Sequence, residues 1–313
     1  MSRPCVLIIG GSGFIGRRLA ADLAADLAAE KWRVIIVSRS PNRARQAAGG
    51  QFEYVSSLRH LYDSIRPELV INLAGVSVGE GRWSAARKRE LLESRLQPTQ
   101  ALADWLQRCP QPPKLVIQAS AVGYYGNGSA AGWPPCDENA PPQDIFVSDL
   151  CRQWEALSQQ MHETSGVPVA VCRFGVVLGQ GGGILPQLLK PVSFCVGRIG
   201  SGRQPLPWIH LDDLSSALRF LAAQNLAGWQ AFNLTAPAAT TQLDFARTAA
   251  KILHRPLLFA VPQTLMRLAL GEQADLVLDG QFAEPQALRR LGFAFRFADI
   301  QAALADLLRR PAR

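Results

Sequence analysis

The run Gly10-Gly-Ser-Gly13-Phe-Ile-Gly16 constrains this chain most, because its glycines stand at the spacing G-x-x-G-x-x-G. The apolar run Val6-Leu-Ile-Ile9 precedes it, and Leu19, Leu23 and Leu27 follow at helical spacing among alanines between Phe14 and Glu30. Strand, glycine turn and helix therefore succeed one another directly. Such glycines permit a tight turn, let backbone amides approach a pyrophosphate, and let the helix pack closely on the strand. The helix N-terminus adds orphan N–H groups and the positive end of its dipole. The alternative is a glycine turn that holds no ligand; the repeating strand-helix pattern around this one favours the anion cradle.

Further strand-like runs are Val34-Ile-Ile-Val37, Leu69-Val-Ile-Asn-Leu73, Leu115-Val-Ile-Gln118 and Val167-Pro-Val-Ala-Val-Cys172, separated by helix-length or loop-length stretches. This alternation predicts an α/β fold, a Rossmann-type doubly wound parallel sheet covered on both faces. The near copies Leu19-Ala-Ala-Asp22 and Leu23-Ala-Ala-Asp26 read as a helix lengthened by about one turn. After Cys172 the texture turns Gly-rich and Pro-rich through Gly181-Gly-Gly183 and Arg203-Gln-Pro-Leu-Pro207, with helices expected over Asp212–Ala223 and beyond Thr240. The expected division is a nucleotide-binding domain of residues 1–173 plus about 206–235, and a smaller interleaved C-terminal α/β substrate domain of about 174–205 plus 236–313.

Composition removes several other classes. With 48% apolar and 19% charged residues the chain can bury a core, which excludes disorder. No apolar run reaches the about 18–20 residues of a bilayer span, so a cytoplasmic protein without a membrane partner is expected. The six Cys show no Cys-x-x-Cys pairing and the four His lie far apart, so reduced thiols and no metal are expected. The net charge of +8 is scattered, and its longest cluster, Arg87-Lys88-Arg89, is followed by Glu90 and Glu93, which argues against nucleic acid. The expected partner is a small-molecule substrate, with the oligomeric state open.

The end of the second strand discriminates between nicotinamide cofactors, because an acidic residue there accepts from a ribose 2′-OH and repels a 2′-phosphate. Here the chain reads Ser38-Arg39-Ser40. A guanidinium flanked by hydroxyls suits a phosphate, so NADP(H) is the expected cofactor, against the alternative of a solvated surface Arg.

The glycine turn, Asn72-Leu-Ala-Gly75, Ser120-Ala-Val-Gly-Tyr-Tyr-Gly126 and Trp208-Ile-His-Leu-Asp-Asp213 resemble the extended short-chain dehydrogenase/reductases, which include nucleotide-sugar epimerases. More narrowly, Arg82-Trp83, Ser94-Arg95-Leu96, Thr99, Trp154-Glu155, Arg173-Phe-Gly-Val-Val-Leu-Gly179 and Gly292-Phe293 resemble the atypical YfcH-like epimerase family over nearly the whole chain. For the cofactor, the resemblance implies backbone contacts from Gly10, Ser12, Gly13, Phe14, Ile15 and Gly16, and Ser38 and Arg39 at the 2′-phosphate. It also implies Leu73, Ala74 and Gly75 beside the adenosine half, with Glu90, Arg95 and Val176 at further contact positions. Arg95 can neutralise phosphate charge, whereas Glu90, five residues earlier on a predicted helix, need not share its face.

Active members of that superfamily carry Tyr-x-x-x-Lys, the Tyr exchanging a proton and the Lys lowering its pKa. With Glu155 as the anchor, those positions fall on Val147 and Cys151. Neither supplies the same chemistry. Ser120 lies one position from the usual catalytic serine and can donate to a carbonyl, and Tyr124 or Tyr125 can supply a phenol; the alternative for either ring is packing. The arginine that binds substrate diphosphate in the nucleotide-sugar enzymes is replaced by Leu206, with Arg203 nearest.

His210 is a candidate acid or base, or else a buried partner between domains with Asp212 or Asp213 capping the next helix. Trp83 and Trp208 suit packing better than a substrate cleft, and Asp137, Glu138 or Asp144 is a possible surrogate acid. The expected function is an NADP(H)-binding, epimerase-like oxidoreductase of open substrate. The alternatives are a non-catalytic NADP(H)-binding sensor or regulatory module, and a structural protein that no longer binds the cofactor.

Overall fold

The structure is a computed structural model describing residues 4–25, 32–47, 50–61, 65–128 and 134–309. It opens with β1 (Cys5–Ile9), α1 (Phe14–Ala25), β2 (Arg33–Val37), α2 (Pro41–Ala47), β3 (Glu53–Val55), β4 (Leu69–Asn72) and α3 (Ala85–Leu106). There follow β5 (Leu115–Ala121), α4 (Phe146–Ser165), β6 (Val169–Phe174), β7 (Val176–Leu178), α5 (Leu185–Ser193), β8 (Val196–Ile199), β9 (Trp208–His210), α6 (Leu211–Ala222) and β10 (Trp229–Leu234). The C-terminal part carries α7 (Gln242–Ile252), β11 (Phe259–Val261), α8 (Gln263–Leu270), α9 (Asp275–Leu278), α10 (Gln286–Arg290) and α11 (Ile300–Arg309).

Seven strands form one sheet in the order β10-β6-β5-β4-β1-β2-β3, and every pairing is parallel. This is the doubly wound sheet that the alternation predicted. β1 lies between β4 and β2, so the strand order reverses there and a crevice opens beyond the carboxyl ends of these strands.

The period of the strand explains the two layers. Val6 and Ile8 pack with Leu19 and Leu23 of α1 and Leu214 and Leu218 of α6. Leu7 and Ile9 pack on the other face with Leu102 and Leu106 of α3 and Met161 of α4. A strand buried on both faces has no polar side to show, which is why β1 reads as an unbroken apolar run. Each such Leu or Ile contributes about 1.5–3 kcal/mol by leaving water.

Departures from the sequence expectations have local causes. The helix expected over Phe14–Glu30 is seen through Ala25; the rest, including Asp26 of the second near copy, lies outside the described residues. β6 begins at Val169, not Val167, because Pro168 has no N–H for a ladder; its carbonyl still accepts from Val116 N. β10, Trp229-Gln-Ala-Phe-Asn-Leu234, is an edge strand whose polar residues hide it in the sequence.

Two short parallel pairs, β7 with β9 and β8 with β11, accompany a second core that contains Leu178, Trp208, Phe245, Phe297 and Leu304. Trp208 is fully buried there and its indole N–H donates to Thr240 Oγ1 at 2.9 Å. Among the described residues no helix is long and apolar enough to cross a membrane, and no three His, Cys, Asp or Glu gather as metal ligands.

Candidate active site at the carboxyl edge of the sheet

The glycine turn is held from both sides. Gly10 has φ +78°, and a Cβ there would lie 2.9 Å from the carbonyl of Leu73. A Cβ on Gly16 would lie 2.5 Å from Gly11 Cα. Side chains are therefore excluded where the turn meets β4 and where α1 meets the turn. Gly13 N donates to Gly10 O at 3.0 Å and its own carbonyl receives Arg17 N at 2.9 Å, which starts α1. At Gly13 a Cβ would meet only Gly10 O, at 3.3 Å, so the cradle is open on that side. The first-turn amides of α1, on Phe14, Ile15 and Gly16, have no acceptor inside their helix. The Phe14 ring is wedged beneath the loop after β7, where a Cβ on Gly179, Gly182 or Gly183 would come within 2.7–2.8 Å of it.

Ser38 follows β2 directly, and its hydroxyl lies 3.2 Å from Ser12 Oγ, joining the strand end to the turn. Arg39 next to it is exposed, as is Arg43 in the first turn of α2. The strand end thus offers hydroxyls and guanidinium groups where a carboxylate would select against phosphate. The excluded Cβ positions, the orphan amides and this basic strand end fit a dinucleotide with a pyrophosphate and an extra phosphate.

Beyond β4, buried Asn72 shapes the loop. Its Nδ2 donates to Thr99 Oγ1 and Gln118 Oε1, both at 3.0 Å, while its Oδ1 accepts from Ala74 N at 3.2 Å. Leu73-Ala74-Gly75 is thereby set against the glycine turn. Arg95 folds under Gly75 and donates to Val76 O, Leu91 O and Ser94 Oγ, with Trp154 stacked 5.3 Å away. Burial lowers its pKa. Glu90 is exposed and accepts from Arg87 at 2.6 Å, so the two charges part company. Val176, on β7, packs with the C-terminal core.

The ends of β5 and β6 hold a buried polar network. Arg173 donates to Glu155 through Nε at 2.8 Å and Nη2 at 2.7 Å, and to Tyr125 OH through Nη1 at 2.9 Å. Ser120 Oγ donates to Glu155 Oε1 at 2.6 Å, and Tyr125 OH donates to Asn233 Oδ1 at 2.7 Å. Burial raises the pKa of Tyr125, outweighing Arg173. Burial opposes the Arg173 charge, yet the bonds and attraction of Glu155 raise its pKa. Both Ser120 and Tyr125 are buried and already bonded. Tyr124 is only half-buried, with the Arg173 guanidinium 3.6 Å from its ring centre. Val147 and Cys151, one turn apart on α4, both lie against Gly123 in the short turn after β5. Burial pushes the Cys151 thiol up to about 12, so it is no ammonium substitute.

Other candidates have structural partners. His210, not Asp212 or Asp213, caps α6, its Nδ1 accepting from Asp212 N at 3.0 Å. Asp213 instead accepts from the amides of Arg296 and Phe297, and Asp212 pairs with Arg18. Glu138 accepts from Asn233 N and Ala287 N, and Asp137 from Asn139 N. Leu206 packs with the C-terminal core, Arg203 is exposed, and Trp83 sits edge-on to Phe146. Asn233 was missed in the sequence, since no spacing marks it, and Glu138, a surrogate-acid candidate there, is tied into the network through its backbone carbonyl, which accepts from Arg173.

The profile of the NAD dependent epimerase/dehydratase family matches residues 6–234, which hold all of the seven-stranded sheet but the first residue of β1. The chain belongs to this family. A domain of unknown function, DUF1731, matches residues 261–307. Among the relatives of this family member, the Epimerase family protein SSP1921 of Staphylococcus saprophyticus is 36% identical over 96% of this chain and 98% of its own length. The Epimerase family protein SAR0825 of Staphylococcus aureus is 34% identical over the same shares. In structure the chain is similar to human epimerase family protein SDR39U1, solved with NADPH, with a TM-score of 0.82 and 32% identity over 97% of this chain and 98% of that one. UDP-glucuronic acid 4-epimerase of Bacillus cereus, solved with NAD, shares the fold at a TM-score of 0.74 and 16% identity over 97% and 95%.

Proposed function

We propose that this epimerase/dehydratase family member binds NADP(H) and serves an oxidoreductase or epimerase-like reaction on a small-molecule substrate. The observation that carries the cofactor assignment is the end of β2, where Ser38 meets Ser12 and Arg39 stands exposed with no carboxylate in the ribose position. The relative solved with NADPH supports the same choice. In this reading the turn from Gly10 through Ser12, Gly13, Phe14, Ile15 and Gly16 holds the pyrophosphate, and Ser38 and Arg39 hold the 2′-phosphate. Leu73, Ala74 and Gly75 flank the adenosine half, with Arg95 supplying positive charge beneath the loop. NADP(H) would supply or accept a hydride at a carbonyl or hydroxyl carbon. Tyr124 is then the phenol free to exchange a proton with substrate, while Ser120, Glu155, Arg173 and Tyr125 keep the wall beneath it rigid. The test is calorimetric titration with 2′,5′-ADP and with ADP: a preference for 2′,5′-ADP that Arg39→Ala removes supports the reading, and equal affinities overturn it.

A second reading, a non-catalytic NADP(H)-binding sensor, is favoured by one observation: Ser120 and Tyr125 are bonded within the buried network. Capture of a partner protein that depends on NADPH, together with wild-type behaviour of Tyr124→Phe, would favour it over the catalytic one.

A further inference from the structure

The C-terminal part exposes large apolar side chains close together. Phe194, Leu258 and Phe259 are 67%, 69% and 62% exposed, against the near-complete burial usual for such residues in the two cores. They form one prominence, because the amides of Leu258 and Phe259 both donate to Cys195 O, at 2.9 and 3.1 Å, and Phe259 pairs with Val196 on β8. The next element, α8, has no buried residue. Its Met266 and Leu270 rest on Ile199, Ala274 and Leu278, which leaves Leu265 and Leu268 outward at 54% and 79% exposure.

The charged residues nearest to Phe194, Leu258 and Phe259 along the chain are all basic. Lys190 lies one helical turn before Phe194, Arg198 is the β8 partner of Ala260, and Lys251 and Arg255 end and follow α7 just before Leu258. All four are exposed or half-buried, and among the described residues none has an ion pair. Arg267 on α8 is paired with Asp275 at 2.8 Å and lies 3.9 Å from Asp279, so the α8 end of the face carries both signs and the free positive charge lies around Phe194, Leu258 and Phe259.

We propose that this face docks on an anionic lipid surface, Phe194, Leu258, Phe259, Leu265 and Leu268 entering the headgroup boundary and Lys190, Arg198, Lys251 and Arg255 meeting lipid phosphates. Two considerations select this occupant. The side chains project from a helix end, a strand start and a helix crest, so they suit a deformable apolar medium, and no groove is needed to seat them. The surrounding charge attracts an acidic surface and opposes a second copy presenting the same ring. The sequence expectation of no membrane partner rested on the lack of a spanning run, which does not bear on a surface patch.

The test is co-sedimentation of the full chain with vesicles of phosphatidylcholine, alone or with about one third phosphatidylglycerol, at low and physiological ionic strength. Binding is expected only with phosphatidylglycerol. It should fall at least about fivefold in Phe194→Ser/Phe259→Ser and in Lys190→Glu/Arg255→Glu, and persist in the charge-matched Arg59→Glu/Arg108→Glu, a pair that lies beside the C-terminal end of α3. NADPH affinity and melting temperature, measured on each variant, report whether it is folded. No binding to anionic vesicles overturns the proposal. So does equal loss in both charge variants, which would mean only a general response to the net charge. A dimer in light scattering that the patch variants dissociate, without vesicle binding, assigns the face to a second copy instead.

Discussion

Arg173 and Glu155 form a two-point ion pair with bonds of 2.8 and 2.7 Å, and their side chains are only 3% and 5% exposed. It ties the end of β6 to α4 one helical turn beyond Cys151, the position that the resemblance gives to the lysine, and it fixes Ser120 and Tyr125 in the same stroke. A guanidinium suits this place because its planar fork matches both carboxylate oxygens and still has a donor for the phenol.

Removing one partner leaves a buried charge without compensation. Glu155→Gln is therefore expected to cost about 3–5 kcal/mol in urea unfolding, with much of that recovered in Glu155→Met/Arg173→Met. A loss below about 1 kcal/mol in the single variant would contradict a structural role for the pair.

The two tyrosines should separate. Tyr125→Phe leaves Asn233 Oδ1 without its donor and is expected to cost about 1–3 kcal/mol of stability with NADPH affinity unchanged. Tyr124→Phe should stay within about 0.5 kcal/mol, while lowering turnover at least about 100-fold on any substrate that screening finds. Equal stability losses would contradict the assignment.

Much of this was legible in the sequence. The buried strands show as continuous apolar runs, and the glycine spacing, Ser38-Arg39 and Asn72 announce the crevice. The network did not show, because Arg173, Glu155, Tyr125, Asn233 and Glu138 come from five separate stretches and meet only once the sheet orders β5, β6 and β10 side by side. For α6 the sequence offers Asp212 or Asp213 as the cap, whereas burial of His210 with its Nδ1 toward the helix start gives the cap to His210.

Two glycines distinguish turn geometry from ligand space. Gly16→Ala places a methyl 2.5 Å from Gly11 Cα and should lower the melting temperature by several degrees. Gly13→Ala meets only Gly10 O at 3.3 Å, so it should melt near wild type yet bind NADPH at least about tenfold more weakly. Thermal melting and titration of both variants check this, and unaltered NADPH binding by Gly13→Ala would place the phosphates elsewhere.

His210 predicts a pH dependence of stability. Burial lowers its pKa from 6.5, prevailing over Asp212, Asp306 and Asp213, and Arg296 acts in the same direction as burial. Between the lowered value and 6.5 the unfolded chain binds a proton that the folded chain does not, so stability falls as pH drops through this window and levels off below it. His210→Asn, which keeps a capping side chain, should flatten that segment of a plot of unfolding free energy against pH. An unchanged slope would assign it to other groups.

The proposed selection of NADP(H) by the cradle is decided by titration of the ligand-free protein with NADPH and with NADH, followed by tryptophan quenching and nicotinamide emission. NADPH should bind at least about tenfold tighter, a difference of about 1.4 kcal/mol, and Arg39→Ala should abolish the preference. Binding of neither nucleotide at millimolar concentration, or a preference for NADH, would contradict it.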